Sequence, residues 1–133
     1  DREGRSEPAG NLRDRLRADT RAAHDRVDAA YRACDIASPH GLGLFLSDHL
    51  RAFRALDPGP LAVPLRDEYC DALAADLAAL ALPVPQAPSS RLPVHPDAAL
   101  YIFLGSRRGA QMMRRYWAAH AQGPARDAGA FLS

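Results

Sequence analysis

The chain has 133 residues, enough for one domain with a modest core, and a formal net charge of +1, which gives no global electrostatic case for nucleic acid or a membrane surface. Ala (27) and Leu (17) dominate, whereas Val (4), Ile (2) and Thr (1) are scarce, so helix formers prevail over strand formers and the expected class is all-α. No apolar run approaches the roughly 20 residues of a membrane span. Cys34 and Cys70 stand alone without metal-ligand spacing, so a reducing cytoplasm is the expected compartment.

The polar start, residues 1–10, is expected to be a disordered lead-in, with one helical domain over 11–133. A first helix is expected from Asn11, a good N-cap residue. Leu12, Leu16, Thr20, Ala23, Val27, Ala30, Tyr31 and Cys34 repeat at spacings of three and four along it and form one apolar stripe. At about 100° per residue, Arg17, His24 and Asp28 fall within about 40° of each other, just beyond one edge of that stripe. Asp28 follows His24 by one turn. A carboxylate holding one ring nitrogen would leave the other for a metal. An ordinary boundary histidine bonded to Asp28 fits the same pattern.

Ser38-Pro39 reads as an N-cap with Pro at the first helical position. The second helix carries Leu42, Phe45, Leu46, His49, Phe53 and Leu56 on one face and stops at Asp57-Pro58-Gly59-Pro60. A third is expected from about Leu65 to Ala81, with Leu65, Tyr69, Leu73, Leu77 and Leu80 inward. Residues 83–96 contain five prolines and can form neither helix nor central strand, which leaves an ordered or a flexible connector.

The fourth helix is expected from about Asp97 to Gln122. It contains Gly105 and Gly109, and each interior Gly costs about 1 kcal/mol relative to Ala. Tyr101, Ile102, Gly105, Gly109, Met112, Met113 and Tyr116 share a broad face of it. Close helix packing explains such a pair; so does a flat, apolar ligand lying against bare backbone. Arg107, Arg108, Arg114 and Arg115 read as a solvated face, or as a dock for an acidic electron donor. His40, His49, His95 and His120 read as non-ligands. After Gly123-Pro124 only ARDAGAFLS remains.

TRAAHDRVD and YIFLGSRRGA, joined through a helix pair and a proline-rich link, resemble the bacterial heme oxygenases over about Leu12 to Trp117. The shared features are the His in LR-x-x-T-x-x-x-H and the Tyr-x-x-x-Gly-Ser-x-x-Gly block. The resemblance implies an all-α, heme oxygenase-like helical bundle with heme sandwiched between a proximal first helix and a distal later one. It implies His24 as the iron ligand, Asp28 as its supporting carboxylate and Arg17 as a base contacting a heme propionate. Gly105, Ser106 and Gly109 map onto the distal catalytic block, with Tyr101 and Met112 against the cofactor. It implies that heme, both substrate and cofactor, is opened with dioxygen to biliverdin, releasing carbon monoxide and ferrous iron. Electrons would come from an external ferredoxin- or reductase-type donor. A heme-binding or helical partner-interaction module of the same fold without turnover is the alternative. Leu104 replaces the family's usual acidic residue and Arg108 its usual apolar one. Family members carry further helices after this point; where those are lacking, exposed apolar surface favours a partner or a homodimer.

Overall fold

A computed structural model describes residues 11–133; the expected lead-in, 1–10, lies outside the described residues. The structure is all-α: α1 (Leu12–Asp19), α2 (Arg21–Arg32), α3 (Pro39–Arg54), α4 (Val63–Ala79), α5 (Pro96–His120) and a 3-10 turn at Gly123–Asp127, with two-residue strands β1 (Leu56–Asp57) and β2 (Leu92–Pro93). The chain divides between Ala33 and Cys34 into two units. Among the described residues, no helix is long and apolar enough to cross a membrane.

In the first unit, Asn11 caps α1 by accepting the Asp14 N–H through Oδ1 at 2.9 Å. The expected single first helix is broken at Thr20, whose φ and ψ are −97° and 0°. Thr20 Oγ1 donates to the Leu16 carbonyl at 2.7 Å, which also accepts the Thr20 N–H at 3.0 Å. A uniform wheel therefore does not run from Arg17 through His24. Neither α1 nor α2 contains a buried residue, so the apolar stripe expected there is not a core face within this unit.

In the second unit, α3 starts where Ser38-Pro39 predicts. Ser38 Oγ accepts the Gly41 N–H at 3.0 Å and donates to the Asp35 carbonyl at 2.8 Å. Leu42, Phe45, Leu46, Leu50 and Phe53 of α3 are buried, as are Tyr69, Leu73 and Leu77 of α4; these two helices form the main packed pair. Leu65 is only half-buried. The α4 helix ends on Ala81, which takes a left-handed φ of 56° while the Leu82 N–H reaches back to the Leu77 carbonyl at 3.0 Å.

The proline-rich connector is ordered by its hydrogen bonds. Leu92 N donates to the Ala55 carbonyl at 2.8 Å and Val94 N to the Asp57 carbonyl at 3.0 Å, pairing β1 and β2 in parallel. Arg54 donates to the Pro85 carbonyl, and Arg91 Nε to the Arg54 carbonyl at 3.1 Å. The α5 helix stops at His120, two residues early, and the Gln122 N–H turns away to the Ala37 carbonyl at 2.9 Å.

The tail after Gly123-Pro124 belongs to the core. Phe131 and Leu132 are fully buried, and the Phe131 ring meets those of Phe45, Phe53 and Tyr69. Asp76, itself buried, accepts the Ala130 N–H on Oδ1 at 2.8 Å and the Phe131 N–H on Oδ2 at 2.9 Å. Trp117 Nε1 donates to the Ala125 carbonyl at 2.8 Å. Gly129 lies so close under Trp117 that a Cβ there would overlap the indole. Arg107, expected on a solvated face, is half-buried. Its guanidinium lies over the Tyr69 and Phe131 rings at 5.1 and 5.6 Å, and its Nε donates to the Ser133 main-chain oxygen at 3.1 Å.

Removing the Asp76 carboxylate strands both buried N–H donors, so Asp76→Ala should cost about 2–5 kcal/mol in denaturant unfolding. Burial raises the Asp76 pKa above the ordinary carboxylate value, against the opposing hydrogen bonds from Phe131 and Ala130 and the charge of Arg107. The folded state therefore holds this proton more tightly than the unfolded state does. The Asp76 contribution to stability is full below the unfolded pKa and declines as pH rises through the folded one. Stability measured against pH should show this downward limb in the wild type, and Asp76→Asn should flatten it.

Candidate functional site

The α5 helix has two dissimilar sides. Ala99, Phe103 and Ala110 are buried and fix which side turns to the core. On a helix of about 100° per residue, Gly105 lies roughly 120–160° from all of them. Around Gly105 on the outer side stand Tyr101, Ile102, Gly109, Met112 and Tyr116. Tyr101 is half-buried; the rest are exposed, Met112 by 80%. Met113 and Ser106 are half-buried at the boundary.

Close packing within the fold does not account for the two glycines. Among the described residues, a Cβ built on Gly105 or Gly109 would meet nothing within 4 Å, and neither residue has a positive φ. Neither position therefore needs Gly for its fold. Both are exposed interior helix positions at which Ala is the better residue. What the two share is a strip of main chain with no side chain over it, bordered by apolar groups.

At the end of this face the Tyr116 hydroxyl donates to Asp35 Oδ1 at 3.2 Å, and the Tyr116 ring lies 4.7 Å from that of His120. The hydrogen bond to Asp35, with its negative charge, raises the Tyr116 pKa. This anchor was missed in the sequence because Asp35 and Tyr116 are 81 positions apart.

Arg17 lies on α1, whereas His24 and Asp28 lie one turn apart on α2; all three side chains are exposed. Among the described residues, no hydrogen bond or ion pair joins His24 to Asp28 or occupies the His24 ring. The expected support from Asp28 is thus not formed, and the imidazole nitrogens are open to a ligand. No group of three or more His, Cys, Asp or Glu able to hold a bare metal ion occurs among the described residues. An iron already held by a macrocycle asks for only one or two axial protein ligands.

The remaining histidines differ in setting. His49 lies among the rings of Phe45, Phe53 and Phe131, and its Nδ1 is 2.8 Å from the Phe45 carbonyl. Burial lowers its pKa, partly offset by that hydrogen bond and the charge of Asp48. This is the core environment expected of it. His95 caps α5 by accepting the Asp97 N–H at 3.1 Å.

No protein family, curated protein or solved structure matches the chain.

Because nothing opposes a methyl group at either glycine, Gly105→Ala and Gly109→Ala should each stabilise the protein by about 0.5–1 kcal/mol. Thermal unfolding of the two variants should show a raised midpoint, whereas glycines needed for tight packing would give a lowered one.

Proposed function

We propose that this chain binds heme against the bare backbone of Gly105 and Gly109 and acts as a heme oxygenase, converting heme to biliverdin, carbon monoxide and ferrous iron. The observation that carries the reading is the open glycine strip. Two costly residues stand four apart in a helix interior, and among the described residues no neighbouring atom requires either of them. A flat apolar plane set on this strip would approach the main chain more closely than any residue with a Cβ allows. Tyr101, Ile102 and Met112 would cover its apolar area, contributing about 25 cal/mol per Å² removed from water.

The residues of the chain are compatible with that group. His24 would hold the iron through a ring nitrogen that has no other partner among the described residues. Arg17 would set a positive charge against a carboxylate of the ligand, and Asp28 would stand one turn from the imidazole. Ser106 Oγ, at the boundary of the strip, would accept and pass a proton through water. Heme itself would supply the iron at which dioxygen takes up electrons from a ferredoxin- or reductase-type donor. Neutral imidazole ligation pushes less electron density onto iron than a thiolate does.

The exposed apolar face also favours a second reading, a module that binds heme or a partner helix without turnover. Hemin should give a Soret band in the wild type that is lost in His24→Ala. With an electron source the band should decay to the spectrum of biliverdin. A stable band without biliverdin would select the non-catalytic heme binder, and no band at all would overturn both heme readings.

A further inference from the structure

The tail closes over an imidazole in the aromatic core. The His49 ring on α3 lies 4.1 Å from that of Phe45, 5.9 Å from that of Phe53 and 5.8 Å from that of Phe131 in the tail, centroid to centroid. Its Nδ1 is 2.8 Å from the Phe45 carbonyl, which can only accept. Nδ1 therefore carries the proton of the neutral ring, and an added proton goes to Nε2. The added charge then stands among these apolar rings. Residues 128–133 have no ionisable side chain of their own. The ionisable groups around the cluster are Asp48 beside His49 on α3, Tyr69 and Asp76 on α4, and Arg107 on α5.

The tail is attached differently from the helices it covers. Leu42, Leu46 and Leu50 of α3 and Leu73 and Leu77 of α4 are fully buried in a helix pair that packs directly. Residues 130–133 instead bond to the helices through three side chains. Asp76 takes the Ala130 and Phe131 N–H groups, and Arg107 and Gln111 donate to the Ser133 main-chain oxygen. Ser133 Oγ closes the segment on itself by donating to the Gly129 carbonyl at 2.7 Å.

We propose that residues 128–133 form an acid-released latch: a proton on His49 sets a charge against Phe131, and the tail leaves as one segment while α3 and α4 stay packed. Release uncovers the ring cluster and frees Arg107 and Gln111, so α5 loses its tie to the α3–α4 pair. Burial, part of it under Phe131, lowers the His49 pKa against the opposing Phe45 hydrogen bond and Asp48 charge. The docked tail thus favours the neutral ring. Its hold is full above the ordinary histidine value of about 6.5 and is lost as pH falls through the lowered, docked one. Asp76 acts in the opposite sense, because burial raises its pKa. The latch stands whether or not the chain binds heme.

Amide hydrogen exchange of the full chain, followed by NMR, provides the test. At pH 7 the Ala130 and Phe131 amides should be less protected than those of Leu73 and Leu77. Their exchange should also depend less on urea, since release exposes less surface than unfolding. Between pH 7 and 5.5 their protection should fall several-fold in the wild type relative to His49→Phe, within the roughly tenfold per pH unit that linkage to one proton allows. Asp76 titrates in both proteins, so the ratio isolates His49. His49→Gln, neutral and polar, should match His49→Phe, and keeps the test intact should the phenyl variant not fold. Ala130 and Phe131 amides that equal Leu73 and Leu77 in protection and urea dependence would overturn the latch. So would a wild-type protection that runs parallel to the variants across the pH range.

Discussion

The second unit depends on a buried carboxylate gripping main chain. Asp76 accepts two consecutive N–H groups, of Ala130 and Phe131, from a segment 54 and 55 positions later in the chain. That grip holds the Phe131 ring among Phe45, Phe53 and Tyr69. It also brings Ser133 to Arg107 and Gln111 of α5. The tail thereby ties α5 to the α3–α4 pair. The carboxylate loses hydration on burial, a cost that the two donors and the nearby Arg107 charge offset only in part.

This arrangement fixes which side of α5 stays open. Phe103 and Ala110 turn inward and Arg107 reaches the tail, so the glycines are left on the far side. A structural requirement at one face thus creates a chemical opportunity at the other. The open strip lacks the two usual reasons for interior glycine, a left-handed φ and a neighbouring backbone. A flat ligand or a partner helix set against that backbone would each be a physical reason for tolerating the helix penalty there.

Much of the architecture was legible from residue spacing. Ser38-Pro39 marked the start of α3 because a cap and a fixed φ are local properties. Leu73, Leu77 and Leu80 marked the inward face of α4, and five prolines marked the connector. The glycine pair on α5 was equally plain. Other features depend on distant partners and left no local trace. The Phe131-Leu132 tail has no periodicity, and its burial follows from Asp76. Arg107 reads as a surface cation until two rings and a main-chain oxygen are brought beneath it. The break at Thr20 escaped a uniform wheel, which assumes the same backbone rotation at every residue, whereas Thr20 has φ −97° and ψ 0°. The expected pairing of His24 with Asp28 was correct in spacing, yet the structure forms no such bond.

Backbone amide NMR during a hemin titration tests the central claim most directly, because a ligand on bare main chain acts first on the amides beneath it. The account predicts paramagnetic loss of the Gly105 and Gly109 signals, while those of Leu73 and Leu77 persist. Retention of both glycine signals at saturating hemin, with losses confined to other parts of the chain, would contradict it.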